Sequence, residues 1–459
     1  MLKKILISLL AIFGLLAVAF WGYFKFRQIK AEQNTMPRAT EAIIKVDVDG
    51  LFASVIWSCL KHPQQYRNLQ KGNFNNQIAI AKTGLKIPAN LYLYKIKNGF
   101  YTRLKIGDSL NFKKFISTHY NFIVQKTQEK GLHIAQSSLL GIDLVFDAQH
   151  VAISYHSDKL SNLSVLKDFF SNKNQVSVTG SKFEEINSHR NHLTVASEEN
   201  ILALNFRDGA ISFKDELLSD EIVPAAKPEH NTFAPDIPLT MWINADLKPA
   251  QSVSKQAKFS LFSTLKKSYS GYIDFQWLGT TSRTDTVITY TYNDDFQQTE
   301  TKTLKKVQVP QVMINMKGNF SALRKSLLDS NRIDVQTGKF DTETIPLSNA
   351  YLTGLNNNIQ ISGSKTFDGR YLQKLPSDNF FEADLDVEWL LEHTDFLPET
   401  AKQLQIKKIV ASGRSFSKGK IAIDGAVRFK NENLNSILLL LNILKKTDKM
   451  NLNLKTKLP

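Results

Sequence analysis

One cysteine, Cys59, stands in 459 residues. That excludes an intramolecular disulfide and any zinc site built on paired cysteines. No cysteine lies near the amino terminus, so a lipidated lipobox is excluded as well. Gly-x-x-x-x-Gly-Lys-Ser/Thr, the dinucleotide glycine fingerprint and His-Glu-x-x-His are also missing, which leaves nucleotide and zinc chemistry unsupported. Glycine (21) and proline (13) are modest, and 42% apolar with 22% charged residues is the composition of a folded chain. No catalytic, cofactor-binding or metal-binding residue is assigned, and a non-enzymatic protein without cofactors is expected.

What is present begins with Ile5–Phe24, ILISLLAIFGLLAVAFWGYF, 20 residues without a charge behind Lys3 and Lys4. At about 1.5 Å per residue a helix of that length spans a hydrocarbon core of about 30 Å. A single transmembrane signal anchor is therefore predicted. Cleavage after Ala17-Val18-Ala19 is the rival reading. The aromatics Phe20, Trp21, Tyr23 and Phe24 favour retention, because such rings settle at the headgroup interface. Basic residues balance across the run, and the long C-terminal body is expected outside the cytoplasm, at the periplasmic face of a bacterial inner membrane.

The net charge of +15 is concentrated late: Lys402–Pro459 holds 13 Lys and Arg against three acids. No nucleic-acid-binding signature accompanies it, so nucleic acid is not an expected partner. Anionic lipid or an envelope polymer is expected on this basic stretch, the membrane at Ile5–Phe24, and an unidentified protein partner elsewhere.

Periodicity predicts an α+β protein: antiparallel sheets with helices packed on one face, built from recurring strand–turn–helix units in two domains. Residues 1–4 read as a cytoplasmic tip, 5–24 as the anchor and 25–40 as a stalk. A first domain covers 41–222, a proline-rich linker 223–238, and a second domain with a basic tail 239–459. Pro224, Pro228, Pro235 and Pro238 set that linker. The recurring unit is a strand, a polar turn and an immediate helix, as at Val46–Gly50, Leu104–Ser109, Ile314–Asn319 and Leu385–Glu388. Asp, Asn or Ser stands there as a helix cap.

Three constellations imitate chemistry. Gly107-Asp108-Ser109-Leu110 with Asp147-Ala148-Gln149-His150 spells two blocks of the GDSL esterases, but the Gly and Asn that would supply oxyanion donors between them are missing. Capping by Asp108 or Ser109 explains the letters, and a serine esterase using Ser109 is kept as a second alternative. His189 and His192 have a spacing that can bind metal on a helix, yet the stretch is polar and reads as a loop. Glu382, Asp384, Asp386 and Glu388 alternate along a predicted strand, which reads as a solvated face.

The order of features in AIAKTGLKIPANLYLYKIKNGFYTRLKIGDSLNFKKFI (Ala79–Ile116) and FKNENLNSILLLLNIL (Phe429–Leu444) resembles an uncharacterised family of signal-anchored, extracytoplasmic proteins of Gram-negative bacteria. The resemblance implies a location and carries no site residue. The expected function is an envelope binding or scaffold protein, with a carrier for lipid or another apolar ligand as the alternative.

Overall fold

A computed structural model describes residues 22–70, 83–119, 122–129, 131–137, 140–156, 163–234, 237–248, 261–292, 298–341, 344–345, 350–363, 365, 373–394, 402–417 and 419–443. It corrects the α+β expectation. Among the described residues 50% are strand and 24% helix, and in each unit the main sheet is antiparallel. The helices that were expected to form a layer are short pieces at strand ends, whereas Tyr269–Tyr292 and Gln298–Gly318 are strands of 24 and 21 residues. Their Thr, Val and Tyr content suits a pleated backbone, where branched and aromatic side chains pack without crowding a helical turn.

The transmembrane signal anchor is the second correction. Among the described residues no helix is long and apolar enough to cross a membrane. Most of Ile5–Phe24 lies outside the described residues. The helix described at its end, 22–32, carries Lys25, Arg27, Lys30 and Glu32. Instead of a free stalk, this segment is tied down: Gln28 Nε2 donates to Asp47 Oδ1 at 3.0 Å, and Asn90 Nδ2 donates to Gln28 Oε1 at 2.9 Å. Thr35–Pro37 then pairs with Gln175–Ser177.

The chain divides into two compact units, Met1–Asp215 with Glu432–Leu439, and Glu216–Asn431 with Leu440–Pro459. In the first, nine antiparallel strands follow the order Ile123–Lys126, His133–Ser137, Ile142–Phe146, His150–His156, Gly99–Lys105, Asn90–Ile96, Ala42–Asp47, Leu193–Ala196, Asn200–Arg207. Ile43, Tyr94, Tyr101, Leu166, Phe169 and Phe183 form its main core. Strand alternation also turns Lys45 inward, where its Nζ donates to the carbonyls of Ile186 (3.3 Å) and His189 (2.9 Å). Asn435 and Ser436, fully buried, bond to Ser54 Oγ and the Ala210 carbonyl, so a late segment completes this unit.

In the second unit the order is Lys420–Phe429, Ile406–Ser417, Phe381–Asp386, Leu239–Ile243, Tyr269–Tyr292, Gln298–Gly318, Asn358–Ser362, Tyr351–Leu355. The proline-rich stretch 223–238 contributes two short strands, Ile222–Pro224 against Ala245–Leu247 and Glu229–Asn231 against Lys374–Pro376. The helix Phe320–Asp329 lays Leu323 and Leu327 on Leu352, Ile359 and Ile361. Each such side chain contributes about 2 kcal/mol by leaving water. Asp47 and Asp386 at strand ends, and Asp108 and Asn319 just beyond them, each accept from the backbone of the helix that follows. The expected helix Gln77–Thr83 lies almost wholly outside the described residues. Of the one expected over Gln251–Lys267, Leu261–Ser268 is described as helical.

Candidate binding groove

The second unit carries an open groove of about 410 Å3 on the sheet Leu239–Ile243, Phe381–Asp386, Ile406–Ser417, Lys420–Phe429. Register explains its lining. Trp242 pairs with Glu382, Glu382 with Ser412, and Ser412 with Asp424. Thr240 pairs with Asp384, which pairs with Val410. Paired residues across antiparallel strands share a face, so three carboxylates from two strands meet there. His230 and Phe233 form a wall from the preceding segment.

The groove is partly pre-organised. Glu382 accepts from Trp242 Nε1 at 3.3 Å through one oxygen and from Asn379 Nδ2 at 2.7 Å through the other. Asp384 pairs with Lys408 at 2.8 Å, and Asp424 with Arg414 at 3.5 Å. His230 stacks on Trp242, which is 1% exposed, and its ring lies 6.0 Å from the Phe233 ring. His230 Nδ1 lies 2.9 Å from the Asn231 carbonyl; a carbonyl can only accept, so Nδ1 carries the proton. In the neutral ring that leaves Nε2 as an acceptor. The arrangement suits a cation, offering carboxylate oxygens beside the Phe233 ring.

The alternating acids at 382–388 therefore do not form one solvated ladder. The strand ends at Asp386, whose Oδ1 accepts from Trp389 N at 2.9 Å, and Glu388 is already helical. Only Glu382 and Asp384 line the groove. Asp424, Trp242, His230 and Phe233 carried no signal in the sequence, because the acids at 382 and 384 that they join lie 40 or more residues away along the chain.

A second polar centre lies inside the same unit. Asp274, 1% exposed, accepts from Asn315 Nδ2 (2.9 Å) and Gln276 Nε2 (3.3 Å) on Oδ1. On Oδ2 it accepts from Asn231 Nδ2 (2.6 Å) and Tyr272 Oη (3.0 Å). Burial pushes its carboxyl above the usual range, and the four donors oppose that rise. A cavity of about 160 Å3 beside it is lined by Asn231, Tyr272, Asn315, Lys317 and Lys374. The neighbouring Lys374, and then burial, hold Lys317 below its ordinary value. All four acceptor positions of Asp274 are filled from within, so it organises the sheet interior.

The imitated chemistry resolves into structure. Asp108 Oδ1 accepts from Leu110 N and Asn111 N, both at 3.0 Å, capping the helix Ser109–His119. His150 N donates to Asp147 Oδ1 at 2.6 Å in a turn. His192 Nδ1 accepts from Phe206 N at 2.9 Å, and burial holds its pKa down. Lys45 occupies the His189 carbonyl. Among the described residues no group of His, Cys, Asp and Glu side chains assembles as a metal site.

Ser154, His156 and Asp143, unremarked in the sequence, do come together, yet one nitrogen faces both partners. His156 Nε2 is 3.1 Å from Ser154 Oγ and 3.0 Å from Asp143 Oδ2. A triad needs the acid on one ring nitrogen and the nucleophile on the other. All three residues are buried, so no substrate reaches them.

No family model matches the chain, and no curated protein matches it. Among solved structures it is similar to crystal form I of TP0453, at 11% identity over 41% of this chain and 78% of that one, with a TM-score of 0.28. Crystal form III is matched at 9% identity over 72% of this chain and 91% of that one, with a TM-score of 0.24. At these values the likeness supports neither a shared fold nor a shared function.

Proposed function

We propose a non-enzymatic binding protein of the bacterial cell envelope whose second unit holds an organic ammonium group. The observation that carries this reading is the meeting of Glu382, Asp384 and Asp424 on one sheet face beneath His230 and Phe233. A half-buried carboxylate attracts a cation more strongly than one in open water, because less solvent screens it. Aromatic faces add to that attraction without carrying charge. The apolar run at Ile5–Phe24 supports export of the body, and the resemblance of Ala79–Ile116 to exported Gram-negative proteins points the same way. A carrier for apolar ligands is less well supported, since three carboxylates line the groove among its apolar residues, amides and two lysines line the smaller cavity, and the main cores are filled.

Isothermal titration of the full chain in mild detergent tests the reading, with spermidine and choline as cations and glycerol as the neutral control. Binding of a cation, weakened roughly tenfold in Glu382→Gln and by added salt, is expected from the loss of one charge–charge contact. Equal weak responses to all three compounds, unchanged in Glu382→Gln, would overturn it.

A further inference from the structure

The hairpin Tyr269–Tyr292/Gln298–Gly318 is far longer than its sheet. Lateral pairings described on its flanks stop at Trp277, opposite Leu239, and at Met313, opposite Ser362. The register of the hairpin itself continues from Gly279↔Gln311 to Tyr292↔Gln298. At about 3.4 Å per residue this two-stranded ribbon runs on for about 40 Å. Isolated ribbons expose both faces and both edges to water, and a long one needs a partner or a reason to resist one.

The two faces differ in kind. Cross-strand pairs put Thr284, Thr286, Ile288, Tyr290 and Tyr292 on the same face as Lys306, Leu304, Lys302, Glu300 and Gln298. Its apolar members are strongly exposed: Leu304 77%, Tyr292 65%, Tyr290 54% and Ile288 45%. The opposite face carries Thr281, Thr289, Thr291, Thr299, Thr301 and Thr303 with Val287 and Lys305, pairs Arg283 with Asp285 at 2.7 Å, and at its base holds Val307 and the buried Val309. The first face therefore sets exposed isoleucine, leucine and tyrosine side chains beside Lys306 and a Lys302 paired with Glu300 at 3.2 Å, and the other is richer in hydroxyls.

We infer that the apolar face of this ribbon lies flat on an anionic lipid bilayer. Tyrosines place their rings at the headgroup level with the hydroxyl in water, and lysine stems cover apolar surface while the ammonium reaches phosphate. Charge complementarity favours this occupant over a second copy of the chain. Lys302, Lys305 and Lys306 outnumber Glu300 along one strand, and two chains of net +15 repel each other. A chain with a net +15 already leans toward an anionic surface. The assignment is independent of the groove.

The test uses the full chain with Cys59→Ser and a single new cysteine carrying an environment-sensitive dye. Tyr292→Cys and Leu304→Cys report the apolar face from both strands, and Thr289→Cys reports the opposite face. Equimolar phosphatidylglycerol–phosphatidylcholine vesicles are added, with phosphatidylcholine alone as the reference. Expected is a blue shift with a rise of roughly fivefold at 292 and 304, as for a group leaving water, and little change at 289. Lys302→Glu with Lys306→Glu should remove most of that rise. A local dye reads the ribbon itself, whatever the N-terminal run does. No response at 292 and 304 overturns the proposal, as does an equal response at 289. A signal that grows with protein concentration without vesicles also overturns it, in favour of self-association.

Discussion

His230 stacks face to face on Trp242, with ring centroids 5.0 Å apart and planes 16° from parallel. The imidazole thus closes over an indole whose Nε1 donates to Glu382. Replacing Trp242 by Ala removes a fully buried ring and leaves one oxygen of Glu382 without its donor. A loss of about 3–5 kcal/mol is expected by urea unfolding. His230→Ala leaves the indole in place but exposed. Its effect on stability should be smaller, with a red shift in tryptophan emission and weaker cation binding.

Asp274 accepts hydrogen bonds on both oxygens from three amides and a phenol. Asp274→Asn keeps the shape and turns one acceptor into a donor facing donors. Denaturant unfolding of the second unit should show a loss of about 1–3 kcal/mol, the cost of a buried unpaired polar group. If the variant were as stable as the wild type, the network would have rearranged around a neutral side chain.

Lys45 gives a dependence on pH. Burial first, and then the charge of Arg190, lowers its pKa below the ordinary 10.5. Between the lowered value and 10.5 the unfolded chain binds more protons than the folded one, so stability rises with pH across that window. Lys45→Met removes the ionising group and leaves the Ile186 and His189 carbonyls without their donor. Melting temperatures across alkaline pH should show the wild type gaining on the variant as pH climbs. A constant difference would mean that Lys45 binds its proton as readily in the folded chain as in the unfolded one, and that burial does not lower its pKa.

Asp386 and Glu388 should behave differently although both belong to the same run of acids. Asp386→Ala loses the cap on Trp389 N and should cost about 1 kcal/mol. Glu388→Gln touches only a half-exposed pair with Lys430, so its effect should fall within a few tenths of a kcal/mol. Thermal melts of the two variants side by side separate capping from a charged strand face.

The sequence by itself determined what is local. The alternation of Ala42–Val48, the strands around Lys97-Asn98-Gly99 and the Asp108 cap all depend on residues within about four positions. Backbone sterics and free amide groups act over that range. The absence of cysteine pairs and nucleotide motifs is likewise a property of the letters. Helix content was overestimated, because a polar cap after a strand announces that a helix starts and not how soon it ends. The length of Tyr269–Tyr292 is not legible locally, since the glycine at 279 and the polar residues after it look like an ending, yet with φ +120 Gly279 forms an irregularity inside one strand.

Only the tertiary structure decided which side chains meet. Asp424 joins Glu382 because two hairpin registers are added in series, and a slip of one residue in either would turn it to the other face. Lys45 points inward because its strand needs Ile43 there, and a period of two carries position 45 along with it. Nothing local shows that the carbonyls of Ile186 and His189 wait for its ammonium. The groove, the buried Asp274 and the two faces of the ribbon are all products of register, which is set by long-range pairing rather than by any one segment.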